Sequence, residues 1–221
     1  MLKKVLSFLM PITIYQKKSS LSKNLEVTWN NGQLVLDSKN TNYSFGSLQR
    51  ILRIGLQEIG YKTIKEMETI LILGVAGGSV IQTLSKEIGC KGKITGVEID
   101  ADIIQIANDY FKLNQIPNLE IVIDDAFEFV LKTKEKYDLI IIDIFQDSAM
   151  PNFLFEEFFM NRIGFLMQTN GFILFNTMLH NDLDNIRNRN YLKWFENNNF
   201  LTRTIPRVEQ HNELIIIQNK S

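Results

Sequence analysis

Cysteine, histidine and charge of one sign are all scarce in this chain, and each shortage excludes something. The single cysteine, Cys90, cannot close an intramolecular disulfide. The fold is therefore not a disulfide scaffold, and a reducing, cytoplasmic setting is expected. Two histidines, His180 and His211, are too few and too scattered for a metal site, so no metal is expected. The 24 basic and 25 acidic residues nearly cancel to a net charge of −1, which gives no electrostatic footprint for nucleic acid as an obligate partner. No apolar run reaches the length of about 18 residues that a membrane span needs, so no transmembrane segment is expected. No internal repeat, low-complexity tract or flexible linker is visible. What remains is an ordinary globular composition, 45% apolar and 22% charged over 221 residues, long enough to bury a sizeable core.

The first residues need separate treatment. Met1-Leu2-Lys3-Lys4 leads into an apolar run that ends near Tyr15 and is followed by Lys17-Lys18. A basic start with a short apolar stretch imitates a signal peptide, but Pro11 interrupts the run and no small-x-small site follows. The segment is read as part of the core or of an interface, with a membrane-surface or subunit contact as the alternative.

Residues 25–37 alternate, with Leu25, Val27 and Trp29 before Asn30-Asn31-Gly32 and Leu34 and Leu36 after it. Asn-Gly suits a tight turn with two residues at positive φ, so a small β-hairpin is expected there. A helix follows from about Gly46 to Ile59, closed by Gly60. From residue 69 strands and helices alternate. Strands are read at 70–75, 93–98, 119–123, 137–143 and 171–177, and helices at 79–88, 101–114, 126–133, 153–168 and 184–198. Strands such as Leu139-Ile140-Ile141-Ile142 are apolar throughout, which only a sheet covered on both faces tolerates. Residues 200–208 and 213–218 have no room for a helix between them and should pair antiparallel. The expected fold is α/β: a doubly wound, Rossmann-like, mostly parallel seven-stranded sheet with a terminal antiparallel hairpin. The expected division is an N-terminal segment, 1–60, ahead of a main domain, 61–221.

Residues 70–78, Ile-Leu-Ile-Leu-Gly-Val-Ala-Gly-Gly, run a buried strand straight into a glycine turn. Gly74, Gly77 and Gly78 let a ligand approach the main chain there. They are not spaced Gly-x-Gly-x-x-Gly, which argues against a dinucleotide. About twenty residues on, Val97-Glu98-Ile99-Asp100 ends the next strand. Glu98 is a candidate acceptor for the 2′- and 3′-hydroxyls of a ribose, Ile99 a candidate to pack on a purine, and Asp100 a helix N-cap. In Asp124-Asp125-Ala126-Phe127 one acid is expected at an exocyclic amino group and one at a helix cap, with Asp125 assigned to the base. Asp143 ends the fourth strand over the site and is the candidate proton acceptor. Asn176-Thr177-Met178-Leu179-His180 reaches the same rim and is a candidate lining of the acceptor pocket.

Over roughly residues 25–180 these motifs resemble the S-adenosylmethionine-dependent methyltransferase fold, and within it the spermidine synthase family. The resemblance implies a cofactor site that includes Gly74, Ala76, Gly77, Gly78, Glu98, Ile99, Asp125 and Ala126, with Asp143 as base. It also marks departures. Ala76 stands where the family carries an acid in a Gly-Gly-Asp-Gly-Gly turn, and Gln146 where a second acid follows the strand-four aspartate, with Asp147 one place later. Leu48-Gln49 replaces a Tyr-Gln or Tyr-His pair, leaving Gln49 to reach the cofactor. A cationic diamine wants paired carboxylates, and Ala76 removes the repulsion toward the carboxylate of intact S-adenosylmethionine. The resulting expectation is an S-adenosylmethionine-binding transferase, a methyltransferase on an unidentified small-molecule acceptor, with Gln146 and Asp147 at the acceptor. The alternatives are an aminopropyltransferase using decarboxylated S-adenosylmethionine, and a non-catalytic nucleoside-binding protein. The apolar N-terminal segment and the sheet edge suggest a homodimer.

Overall fold

A computed structural model describes residues 2–19, 21, 23–38, 42–145 and 149–220. The mostly parallel seven-stranded sheet with a terminal antiparallel hairpin is present, and a four-stranded sheet stands in front of it where a hairpin was expected. A short helix α1 (Leu2–Leu6) precedes four antiparallel strands, β1 (Ile12–Ser19), β2 (Lys23–Asn30), β3 (Gln33–Ser38) and β4 (Asn42–Ser44), in the order β1-β2-β3-β4. The Asn-Gly turn joins β2 to β3 as expected, with Asn31 and Gly32 both at positive φ (48° and 76°). The expected hairpin is thus the centre of a larger sheet. The strand character of β1 was hidden by the apolar run to Tyr15, into which its first residues fall, and Ile12 to Ser19 in fact pair with β2 along its length. The run before β1 is not core. Among residues 2–10 only Ser7 is buried, while Leu2, Val5, Leu6, Phe8, Leu9 and Met10 are exposed.

Next come helices α2 (Gly46–Ile59) and α3 (Tyr61–Lys65). The apolar face of α2, Ile51, Leu52, Leu56 and Ile59, packs with Ile70, Leu139, Leu174 and Leu214 of the main sheet. Beyond it lie β5 (Thr69–Leu73), α4 (Ser79–Gln82), β6 (Lys93–Glu98), α5 (Ala101–Phe111), β7 (Leu119–Ile123), α6 (Ala126–Lys132), β8 (Tyr137–Ile142), α7 (Glu157–Phe165), β9 (Met167–Met178), α8 (Asp182–Asn197), β10 (Leu201–Val208) and β11 (Asn212–Gln218). The main sheet runs β10-β11-β9-β8-β5-β6-β7. Strands β5 to β9 are parallel to their neighbours, and β11 is antiparallel to both β9 and β10. The central parallel strands β5, β6 and β8 are buried on both faces. Ile70 and Ile72 face one core cluster and Leu71 and Leu73 the other. Pro206 lies on β10, the edge strand, where a missing N–H costs no ladder bond.

Several boundaries differ from expectation for local reasons. The helix expected at 79–88 is α4 followed by a π-helical stretch, Thr83–Ile88, that ends at left-handed Gly89. Helix α5 stops at Phe111 because Lys112 turns left-handed (φ 58°). The helix expected at 153–168 divides into a 3₁₀ turn, Asn152–Phe155, and α7. Strand β9 starts four residues early, at Met167, with its register to β8 shifted between Tyr137 and Leu139.

Candidate active site

The carboxyl ends of β5, β6, β7, β8 and β9 form one rim, where an open parallel sheet takes its ligand. The central strand β5 ends in the glycine turn, and its neighbours deliver one carboxylate on each side, Glu98 from β6 and Asp143 from β8. The turn is closely fitted between them. Gly74 has φ +89°, donates its N–H to the Val97 carbonyl at 3.0 Å, and has no room for a Cβ, which would meet the Asp143 backbone carbonyl. Gly78 (φ +78°) opens α4, and Ala76 holds φ +48°, a left-handed conformation uncommon for a residue with a side chain. Gly77 is crowded from the N-terminal sheet, since a Cβ there would stand 2.8 Å from Cβ of Ser44. Ser44 Oγ also accepts the Ser79 N–H at 3.2 Å. Beside it Phe45 stacks on Phe111 with ring centroids 4.5 Å apart. The small sheet therefore packs against the turn through Ser44 and Phe45, a contact without any sequence signal, because neither residue belongs to a motif.

Glu98 is where the sequence placed it, and its carboxylate is engaged with the turn. Oε2 accepts the N–H groups of Val75 (3.1 Å) and Ala76 (3.0 Å), and Oε1 accepts that of Asp100 (3.1 Å). The side chain is buried, at 8% exposure. Burial raises its pKa above the ordinary carboxylate value, and the three N–H bonds pull the other way. A carboxylate accepts about four hydrogen bonds, so this arrangement has capacity for one further donor where a ribose offers two. A two-hydroxyl grip requires Glu98 to release part of the turn. Ile99, next to it, is 48% exposed and presents an apolar surface at the rim. Asp100 caps α5 as expected, accepting the Asp102 N–H at 3.0 Å.

Asp125 performs the capping job that its pair was expected to share. Its Oδ1 accepts the Phe127 N–H at 2.7 Å at the N-terminus of α6, whose first residue is Ala126. Asp124 accepts the Asp125 N–H at 2.9 Å and lies 3.8 Å from Lys132 Nζ. The cap thus uses one oxygen of the residue assigned to the base. Gln49 donates to Thr83 Oγ1 at 3.2 Å, so its amide is tied to the π-helical stretch after α4. Gln146 and Asp147 lie outside the described residues.

Asp143 has the most distinctive surroundings. It is half-buried and accepts one side-chain bond, from Asn176 Nδ2 at 2.9 Å. The oxygen of Asn176 accepts in turn from Asn212 Nδ2 at 2.9 Å. This second bond fixes which way the Asn176 amide faces, with its NH₂ toward Asp143. Burial pushes the Asp143 carboxyl up to about 6, with the Asn176 bond acting in the opposite sense. Asn176 lies within the rim segment singled out from the sequence. Asn212 was read as part of a turn; it is the first residue of β11, opposite Met178, and only strand pairing brings it to the site. His180 and His211 close the same end of the rim, with ring centroids 5.2 Å apart.

The residues fit a nucleoside ligand: a strand end stripped of side chains, an acid beside it, an exposed aliphatic face and a second acid held apart from the first. The fold is that of the S-adenosylmethionine-dependent methyltransferases, Rossmann-like, with a mostly parallel seven-stranded sheet. Residues 53–221 match the spermine/spermidine synthase domain, and the chain belongs to that family. A polyamine aminopropyltransferase of Buchnera aphidicola is 30% identical over 152 residues, covering 63% of this chain and 51% of that protein. The chain spans about half the length of the curated relatives it matches. Among solved structures, spermidine synthase in complex with the transition-state analogue AdoDATO superposes with a TM-score of 0.68 at 20% identity, covering 95% of this chain and 73% of that one. Human methyltransferase-like protein 13 in complex with SAH superposes with a TM-score of 0.64 at 19% identity, covering 79% and 83%.

Proposed function

We propose that this chain is an aminopropyltransferase that takes decarboxylated S-adenosylmethionine as donor and an amine as acceptor. The observation that carries the reading is Asp143: a half-buried carboxylate at the end of β8, held by Asn176 and pushed up to about 6. At neutral pH such a group is mostly ionised and still basic enough to take a proton from an attacking amine. Membership of the spermine/spermidine synthase family supports the same reading.

The donor's sulfonium is already activated, so the protein's work is alignment, exclusion of water and removal of one proton. The amine nitrogen attacks the carbon bound to sulfur, the carbon–sulfur bond breaks and its electrons leave on a neutral thioether. The proton of the new ammonium passes to Asp143. Glu98 would hold the sugar, Ile99 the base, Asp125 the exocyclic amino group, and the turn at Gly74, Gly77 and Gly78 the donor's tail. Release of one of the Val75 and Ala76 N–H groups from Glu98 would couple donor binding to a rearrangement of that turn.

A second reading is methyl transfer from intact S-adenosylmethionine. One observation favours it: the turn offers no acid to repel the donor's carboxylate, since Ala76 and Gly77 occupy it. Incubation with each donor and a panel of amines, followed by mass spectrometry, separates the readings. Methylthioadenosine from the decarboxylated donor supports aminopropyl transfer. S-adenosylhomocysteine from the intact donor, with no methylthioadenosine, supports methyl transfer and overturns the first reading.

A further inference from the structure

The strongest feature that the active site does not use lies in the first residues. Residues 2–25 hold five lysines, Lys3, Lys4, Lys17, Lys18 and Lys23, and no aspartate or glutamate. A chain that is nearly neutral as a whole thus carries five positive charges in one tenth of its length. The same stretch shows its apolar side chains to solvent. Leu2 is 72% exposed, Phe8 64% and Leu9 86%, with Val5, Leu6 and Met10 also exposed.

This segment is held in place. Ser7, buried, donates to the Lys4 carbonyl at 2.7 Å and accepts the Gly32 N–H at 2.9 Å, while its own carbonyl accepts the Asn31 N–H at 3.1 Å. These bonds fasten α1 to the β2–β3 turn. Leu2, Val5, Leu6 and Leu9 then follow one another at the i, i+3, i+4, i+7 spacing of a single helical stripe, and backbone bonds continue the helical turn to Met10 (Met10 N–H to Leu6 carbonyl, 3.3 Å). These apolar side chains are turned to solvent with Lys3 and Lys4, while the one buried residue of the segment, Ser7, is polar. That is the reverse of a core helix.

The charges choose the occupant. Among the described residues Lys17 pairs with Asp102 at 2.8 Å, whereas Lys3, Lys4 and Lys18 have no acidic partner. A second copy docked on α1 would bring Lys3 and Lys4, which have no acidic partner among the described residues, against the same lysines of its counterpart, which like-charge repulsion opposes. An anionic bilayer surface accepts both features, with aliphatic side chains entering the acyl boundary and lysines remaining at the phosphate level. Trp29, over which Lys4 Nζ sits 5.8 Å from the ring centroid, adds an aromatic residue of the kind such an interface favours. We propose that residues 2–18 form a peripheral docking surface for anionic phospholipid membranes.

The test is cosedimentation of the full chain with vesicles of phosphatidylglycerol and phosphatidylcholine against vesicles of phosphatidylcholine alone, with light scattering in parallel. The wild type is expected to bind the anionic vesicles at least tenfold more strongly, and to be released by high salt. The pair Leu2→Asp and Leu9→Asp should remain folded, both side chains being largely exposed, and should lose that binding. The pair Lys3→Glu and Lys4→Glu should lose the preference for anionic vesicles. Equal or undetectable sedimentation with both vesicle types overturns the proposal. A wild-type dimer that Leu2→Asp with Leu9→Asp converts to monomer, without vesicle binding, overturns it in favour of a second copy. None of these readouts depends on the transferase reading.

Discussion

Glu98 and Asp143 are carboxylates at the ends of β6 and β8, the two strands that flank β5, and they have been given different surroundings. Glu98 receives three backbone N–H bonds from the turn and from Asp100. Asp143 receives one bond, from a side-chain amide whose orientation a second amide sets. Burial raises the pKa of both. The difference lies in what each proton would cost. Protonating Glu98 weakens the bonds that hold the glycine turn, whereas protonating Asp143 disturbs one Asn–Asn chain. The first carboxylate holds the shape of the turn, and the second is the proton acceptor of the proposed reaction.

The sharpest test of this contrast is Asp143→Asn. If Asp143 is the proton acceptor, transfer should fall by about a thousandfold, with donor affinity unchanged by calorimetry. An equal fall in donor affinity would make Asp143 a binding group and abolish the contrast. Glu98→Ala should act the other way. It leaves buried N–H groups of the turn without an acceptor, so urea denaturation should show a loss of about 2–4 kcal/mol together with weakened donor binding.

Asp143→Asn also carries a stability signature. The folded pKa of about 6 lies above the 3.8 of an ordinary aspartate. Between these values the native state holds a proton that the unfolded chain has lost, so wild-type stability falls as pH rises through that window and stays lower above it. The asparagine variant lacks this slope. It should exceed the wild type by about 3 kcal/mol at pH 8 and match it below about pH 3, as read from thermal melts across pH. A variant equally stable at both ends would show that burial does not strain the carboxylate.

Asn212→Leu tests the amide chain at a distance. With the Asn176 orientation released, the Asp143 bond weakens, the ascending limb of the pH–rate profile moves up, and the rate falls by about tenfold. A rate loss with an unmoved profile would reduce Asn212 to a packing role. The smallest change is expected from Arg53→Ala on the far side of the turn's helix. Its two bonds to Glu87, 2.9 and 2.6 Å, join half-exposed partners, and removal should cost under about 1 kcal/mol.

Patterns within single segments were legible in the sequence. The wholly apolar strands, the Asn-Gly turn, the glycine bend and the acids at strand ends each follow from a local rule, and all are present. The Asp100 cap was legible for the same reason. Where two local roles competed, the sequence did not decide between them, and Asp125 was assigned to the base. Asp125 is engaged as a cap because α6 begins at Ala126 and its Phe127 N–H needs an acceptor. The four-stranded front sheet was only partly legible, because β1 reads as the tail of an apolar run until its pairing with β2 is known.

The sequence by itself determined which segments would be buried strands and which residues would end them, since side-chain hydrophobicity and backbone freedom are local properties. Tertiary structure alone decided the partners of those ends: that Glu98 bonds the turn, that Ser44 packs on Gly77 from another sheet, and that Asn212 reaches Asp143 through Asn176. Such contacts join residues from about 20 to about 70 positions apart through strand order and register, and no short-range pattern encodes them.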